Sequence, residues 1–168
     1  MKKILALLLS GLLALTAAAC APKADGTTSS GYSFAEGTYL KGETAEAAGC
    51  TAVLKQYIQK AGTDTAQPEE GKVFLLLEFR IDNLTDAEMP VSTLLSFKGR
   101  ADGETAAVST KALQTRGSYS TLDGTVPAGG ATTGVVGFEV PEDWKVFEVD
   151  FYPDAMKADA LCFGVEKK

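Results

Sequence analysis

From Cys50 onward, apolar side chains recur at every second position, with turn-forming residues at short intervals. The run KVFLLLEFRID, residues 72–82, sets Val73, Leu75, Leu77, Phe79 and Ile81 on one face. A strand lines these five up, whereas a helix would scatter them around its axis. Glu78, Arg80 and Asp82 take the other face, and Phe74 and Leu76 extend apolar cover across its start. The same period runs through TTGVVGFEV (Val136, Phe138, Val140) and KVFEVDFY (Phe147, Val149, Phe151). Weaker strands are CTAVLKQYIQ, LLSFKGR, TAAVS and LCFGVE. Between them lie Asp102-Gly103, which predicts a hairpin, then Asp123-Gly124, PAGG at 127–130 and PEDW at 141–144. Only 111–119 carries no clear period. Seven or so short strands without a convincing amphipathic helix predict an antiparallel β-sandwich over residues 48–168, with a small barrel as the alternative.

Ahead of this domain the pattern changes twice. Lys2 and Lys3 precede an apolar run over 4–19, too short for a comfortable span of roughly 20 residues. Positive residues, a short apolar region and small residues at Ala17 and Ala19 form a secretory signal over 1–19. The stretch LTAAAC, ending at Cys20, resembles the lipobox of bacterial lipoproteins, although Ala17 stands where leucine is preferred. That resemblance implies a cysteine diacylated on sulfur that becomes the new amino terminus. Two or three acyl chains, palmitate among them, hold a protein durably on a bilayer. Ordinary cleavage and an uncleaved helix are the alternatives. Residues 20–47 read as a tether: APKADGTTSSG at 21–31 and GETAEAAG at 42–49 lack large apolar side chains, leaving 32–40 as a possible short strand. As a coil the first of these spans roughly 18 Å.

The order of motifs is also informative. Gly71-Lys72 opens a strand closing on Asp82-Asn83; Asp102-Gly103, VPAGG, GVVGFEVP at 134–141 and VFEVDFYP at 146–153 follow. This resembles an Ig-like domain family of unknown function found in many Gram-positive lipoproteins, over about residues 48–166. The resemblance implies an all-β, immunoglobulin-like sandwich of seven to eight strands on the outer face of the cell membrane. It supplies no catalytic residues, and 113–122 does not align with it.

Charge narrows the partners. The chain carries 16 basic and 22 acidic residues, a net charge of −6. Loss of 1–19 would remove Lys2 and Lys3 and take this to −8. Such a surface repels nucleic acid and anionic membrane faces. There is no histidine, hence neither the commonest general base nor the commonest transition-metal ligand. Ser109, Ser118 and Ser120 lack the usual activating base, and neither Lys98 nor Lys111 forms an SxxK pair. Acidic groups gather in three loops: Asp82, Asp86 and Glu88; Asp102 and Glu104; Glu142 and Asp143. None forms a twelve-residue Ca²⁺ loop, so no metal or cofactor is expected. Once Cys20 is acylated, Cys50 and Cys162 remain, either as a disulfide stapling the ends of the domain or as two small apolar residues. Trp144 either anchors a partner or caps the core. NLT at 83–85 matches a glycosylation sequon but signals little beyond a turn.

The expectation is a membrane-tethered, extracytoplasmic module that is not an enzyme and presents a surface to a protein or envelope partner. A small-ligand or metal-binding receptor is the alternative.

Overall fold

The computed structural model describes residues 31–47 and 49–168. Cys20 and the signal segment therefore lie outside the described residues. The strands are β1 (Tyr39–Leu40), β2 (Thr44–Ala47), β3 (Cys50–Lys60), β4 (Lys72–Asn83), β5 (Met89–Val91), β6 (Phe97–Ala101), β7 (Glu104–Ala106), β8 (Gly124–Val126), β9 (Ala131–Pro141), β10 (Val146–Phe151) and β11 (Leu161–Glu166). One helical turn, α1 (Thr110–Gln114), lies between β7 and β8. One sheet runs β2-β3-β4-β9 and the facing sheet β1-β11-β10-β6-β7, while β5 and β8 form a small ribbon. The chain changes sheet between β1 and β2, between β4 and β6, between β7 and β9, and between β9 and β10. With β3, β4 and β9 as strands A, B and E, and β6, β7, β10 and β11 as C, C′, F and G, this is the immunoglobulin-like arrangement.

The period-two pattern decides which side chains face inward. Val73, Leu75, Leu77, Phe79 and Ile81 of β4 meet Phe97, Phe147, Val149, Phe151 and Phe163 of the opposite sheet. Phe79 lies 5.4 Å from Phe97 and 5.2 Å from Phe163, and Phe97 stacks on Phe151 at 5.0 Å. Gly99 makes room for this layer: a Cβ there would come within 2.6 Å of Phe147 and 2.7 Å of Phe138. The alternate residues Phe74 and Leu76 are buried too, on the outer face, beneath Ala112, Leu113, Val135 and Tyr119. That cover includes α1, capped by Ser109, whose Oγ accepts from the Ala112 amide at 3.2 Å. At five residues α1 is too short to impose a helical period on 111–119.

Three expectations change. The tether was expected to run to residue 47, yet β1 pairs in parallel with β11, and β2 pairs with β3. Phe34, Thr38 and Ala45 are buried as well. Edge strands need apolar residues only on their inner face, and Ala45 suffices there. The strand expected over LLSFKGR starts at Phe97, leaving Leu94 and Leu95 in a loop. Cys50 and Cys162 are both free thiols, so the disulfide is not formed. Cys50 packs in the core, whereas Cys162, between inward Leu161 and Phe163, points to the outer face of the other sheet. Side chains on opposite sides of a sheet cannot be bridged without moving backbone. The Asp102-Gly103 hairpin is present, with both residues at positive φ (50° and 88°), as a type I′ turn requires.

Register sorts the loops onto two poles. Lys72 is opposite Pro141 and Asp82 opposite Ala131 across β4 and β9, and Phe97 is opposite Phe151 across β6 and β10. The hairpin at 102–103 and the turn at 142–145 therefore share one pole. Gly31 and Tyr32 line a shallow pocket there with Asp102, Asp143 and Lys145, so the described chain begins at this proximal pole. Loops 84–88, 92–96, 127–130 and 152–160 share the distal pole.

Candidate functional site

The distal pole is organised by Asn83, the last residue of β4. Its amide Nδ2 donates toward the carbonyls of Ala87 (2.7 Å), Val126 (3.1 Å) and Pro127 (3.1 Å). Its Oδ1 accepts from the backbone N–H and the hydroxyl of Thr85, at 3.1 and 2.8 Å. Asn83 is only 1% exposed, so NLT is an internal turn clamp with its amide already used. The clamp folds the turn so that Leu84 points outward. Next, β5 pairs with β8, burying Met89 and Val91 and leaving Pro90 exposed.

Loop 92–96 is closed by Ser96 N–H to Ser92 O at 2.8 Å. The amide and hydroxyl of Thr93 donate to Asp123 at 2.8 and 2.9 Å. These bonds spend the loop's polar groups and leave Leu94 and Leu95 at its tip. Loop 152–160 joins it through Tyr152 N–H to Ser96 O at 2.8 Å. There Asp154 accepts from the Met156 amide at 3.0 Å and pairs with Lys157 at 3.2 Å. Both interactions hold the Asp154 carboxyl below its usual range, the amide bond contributing most.

Between the two loops lies a groove of about 500 Å³. Met89, Pro90, Leu95, Pro153, Ala155 and Met156 supply its apolar wall, and Glu88 stands on its rim. The large hydrophobic side chains exposed among the described residues are Leu84 (55%), Leu94 (59%), Leu95 (69%) and Met156 (94%). All four sit at this one pole. Exposed apolar residues scattered singly need no explanation, but a cluster beside a groove does.

Apart from the NLT turn, Glu88 alone of the residues singled out from sequence lines the groove. Trp144 is fully buried, donates its indole N–H to Gln59 at 3.0 Å and meets Tyr57 edge-on at 5.5 Å. It closes the core near the proximal pole and offers no surface to a partner. The acidic residues divide between the poles. Asp82 pairs with Arg80, and Asp102 accepts from the amides of Lys145 and Val146 at 3.1 and 2.9 Å, fixing the turn before β10. Among the described residues no group of three or more Cys, Asp or Glu is disposed to hold a metal ion.

A second polar cluster covers the outer face of the β10 sheet. Arg100 binds Asp150 through two bonds, at 2.6 and 3.2 Å, and approaches Glu148 at 3.7 Å. Tyr32 donates to Glu148 at 3.4 Å, and Thr38 reaches the Cys162 sulfur at 3.7 Å. Burial, the largest cause, pushes the Cys162 thiol up to about 11, and burial does the same to Cys50. Both thiols are protonated at neutral pH and are poor nucleophiles. The cluster is a strap holding residues 32–38 on the sheet, with Phe34 packed over Gly164.

The groove residues carried a faint sequence signal. Leu84 and the Leu94-Leu95 pair stand amid Asn, Thr, Asp and Ser, where turn formers set neighbouring side chains outward. Met156 had none beyond its place between turn residues.

The fold recurs in solved structures at low sequence identity. A Bacillus subtilis protein, ycdA, assigned as a lipoprotein, superposes with a TM-score of 0.61 at 10% identity over 73% of this chain. The chain spans 38% of that longer protein. The yjhA protein of Bacillus subtilis gives 0.57 at 14% identity, over 77% of this chain and 99% of that one. A conserved hypothetical protein of Bacillus anthracis gives 0.52 at 14%, over 73% and 94%. No curated protein matches the sequence at significant similarity. The family model described as a domain of unknown function, DUF4352, matches residues 39–161. The chain, an immunoglobulin-like β-sandwich, belongs to the DUF4352 family.

Proposed function

We propose that this protein is a lipid-anchored, extracytoplasmic binding module that engages a protein partner through the groove at its distal pole and performs no catalysis. One observation carries the reading: every large exposed hydrophobic among the described residues sits at the pole that holds the groove, and two of them, Leu95 and Met156, line it. The same pole presents the B–C and F–G loops, which in antibody variable domains form part of the antigen-binding surface. The lipobox-like LTAAAC sequence and the fold shared with a Bacillus protein assigned as a lipoprotein support the location. The described chain begins at the proximal pole, opposite the groove, so an anchor at Cys20 would not draw on the groove's own loops.

A small-ligand receptor draws on the groove's volume, which is in the usual range for such sites. Its polar side chains argue against that reading. Asn83, Thr85, Ser96 and Asp154 spend their hydrogen bonds within the loops instead of converging on the groove.

A photo-crosslinking residue placed at Leu95 in the native envelope tests the reading against the same residue at exposed Glu142 on the proximal pole. Discrete adducts at 95 and none at 142 are expected. Equal labelling at both positions, or none at 95, refutes it.

A further inference from the structure

The rim of the groove has a charge imbalance that says what fits it. Of the carboxylates at this pole, Asp154, which lines the groove, is neutralised by Lys157, and Asp82 is neutralised by Arg80. Asp86 and Glu88, on the loop leading into β5, have no ion pair among the described residues, nor does Asp159 in loop 152–160. Glu88 lines the groove directly beside Met89 and Pro90. Among the described residues the opening thus combines an apolar floor with the unpaired carboxylate of Glu88, Asp86 lying two residues before it on the same loop, and its one lining cation, Lys157, is already paired with Asp154. From this juxtaposition we infer that the groove takes a cationic protein segment: bulky apolar side chains seated between Leu95 and Met156, flanked by Lys or Arg opposite Asp86 and Glu88. This rests on the binding-module reading and narrows it to one partner chemistry.

Three other occupants fit less well. The chain's own residues 21–30, APKADGTTSS, contain no large apolar side chain, and the described chain begins at the opposite pole. A second copy apposed at this pole would set Asp86 and Glu88 against their equivalents, in a chain already at −6. An anionic lipid surface is repelled by the same carboxylates. A cationic segment alone gains from both features, because apolar contact supplies affinity and the rim supplies register and approach rate.

The test uses the full chain in detergent micelles and short fluorescent peptides of three kinds. One carries Leu and Phe flanked by Lys, one replaces Lys by Glu, and one keeps Lys but replaces the apolar residues by Ser. Fluorescence anisotropy should rank the Lys-flanked apolar peptide about tenfold or more above both others, with affinity weakening as salt rises. The double substitution Asp86→Lys with Glu88→Lys, at exposed positions that bear on no core contact, should invert the preference between the Lys and Glu peptides. Leu95→Ser with Met156→Ser should abolish binding of all three. Equal affinity for the Lys and Glu peptides, or a preference unmoved by the charge reversal, overturns the inference. So does sedimentation showing a dimer that the Leu95 and Met156 substitutions dissolve. Crosslinks from Leu95 that map to acidic or uncharged segments would overturn this inference while leaving the binding-module reading standing. The absence of any adduct at Leu95 removes both.

Discussion

Replacing Asn83 with Ala should lower stability and loosen the groove together, because one buried amide clamps two segments, 85–87 and 126–127. The substitution deletes the donor shared by the carbonyls of Ala87, Val126 and Pro127, and the acceptor used by Thr85. The bond to Val126 is fully buried, so its loss strands an acceptor at a cost of about 1–3 kcal/mol. The other bonds are partly wet, and water recovers most of each, leaving about 0.5 kcal/mol apiece. The total is roughly 3–5 kcal/mol, which for a domain of this size lowers Tm by about 10–15 °C. The assay is chemical denaturation followed by the fluorescence of Trp144, the only tryptophan and fully buried, hence a single reporter of the core. With a urea slope near 1.5 kcal/mol per molar, the midpoint should fall by about 2–3 M. Asn83→Asp should do no better, since a carboxylate can accept from Thr85 but cannot donate to the three carbonyls. A midpoint for Asn83→Ala within error of the parent, or a full rescue by Asp, refutes the clamp.

Further expectations separate core from surface. Leu95→Ser with Met156→Ser removes apolar area already in water, so its urea midpoint should match the parent within about 0.5 kcal/mol while distal-pole crosslinking is lost. Gly99→Ala should destabilise by about 1–3 kcal/mol in the same denaturation assay, because its methyl would collide with two well-packed rings. Mass spectrometry after denaturation and alkylation should find Cys50 and Cys162 both labelled without prior reduction. In the native state, labelling at pH 8 should be slow and accelerate towards pH 11, since each thiol is raised from about 9 to about 11. The folded state favours the protonated thiols, so their contribution to stability is complete below pH 9 and fades as pH climbs to 11. A unfolding midpoint that stays flat over that window contradicts the burial of both sulfurs.

The hydrophobic period carried most of the fold. β4, β9 and β10 are long or strongly alternating, and their inward residues are the ones the spacing selects. The Asp102-Gly103 hairpin was legible because its backbone geometry restricts residue choice so severely. The cysteines were a different matter: parity suggested a bond, while the alternation Leu161-Cys162-Phe163 already placed one sulfur outward. Phase within a strand was the stronger evidence. Of the possible strand over 32–40 only Tyr39–Leu40 pairs, as β1, while β2 was hidden because a short edge strand needs almost no apolar side chains. Trp144 follows PED, which reads as an exposed turn, yet Gln59 accepts its N–H and lets the ring turn inward. The groove was least visible, since Leu84, Leu94, Leu95 and Met156 come from three separate loops. Only the register of four strands brings them to one pole.

Hydrogen–deuterium exchange on the full-length protein, compared between native membranes and purified detergent solution, tests the central claim most directly. The account predicts added protection in membranes over 84–96 and 153–157, with 102–103 and 142–145 unchanged. Protection confined to the proximal pole, or no difference at the distal loops, would contradict it.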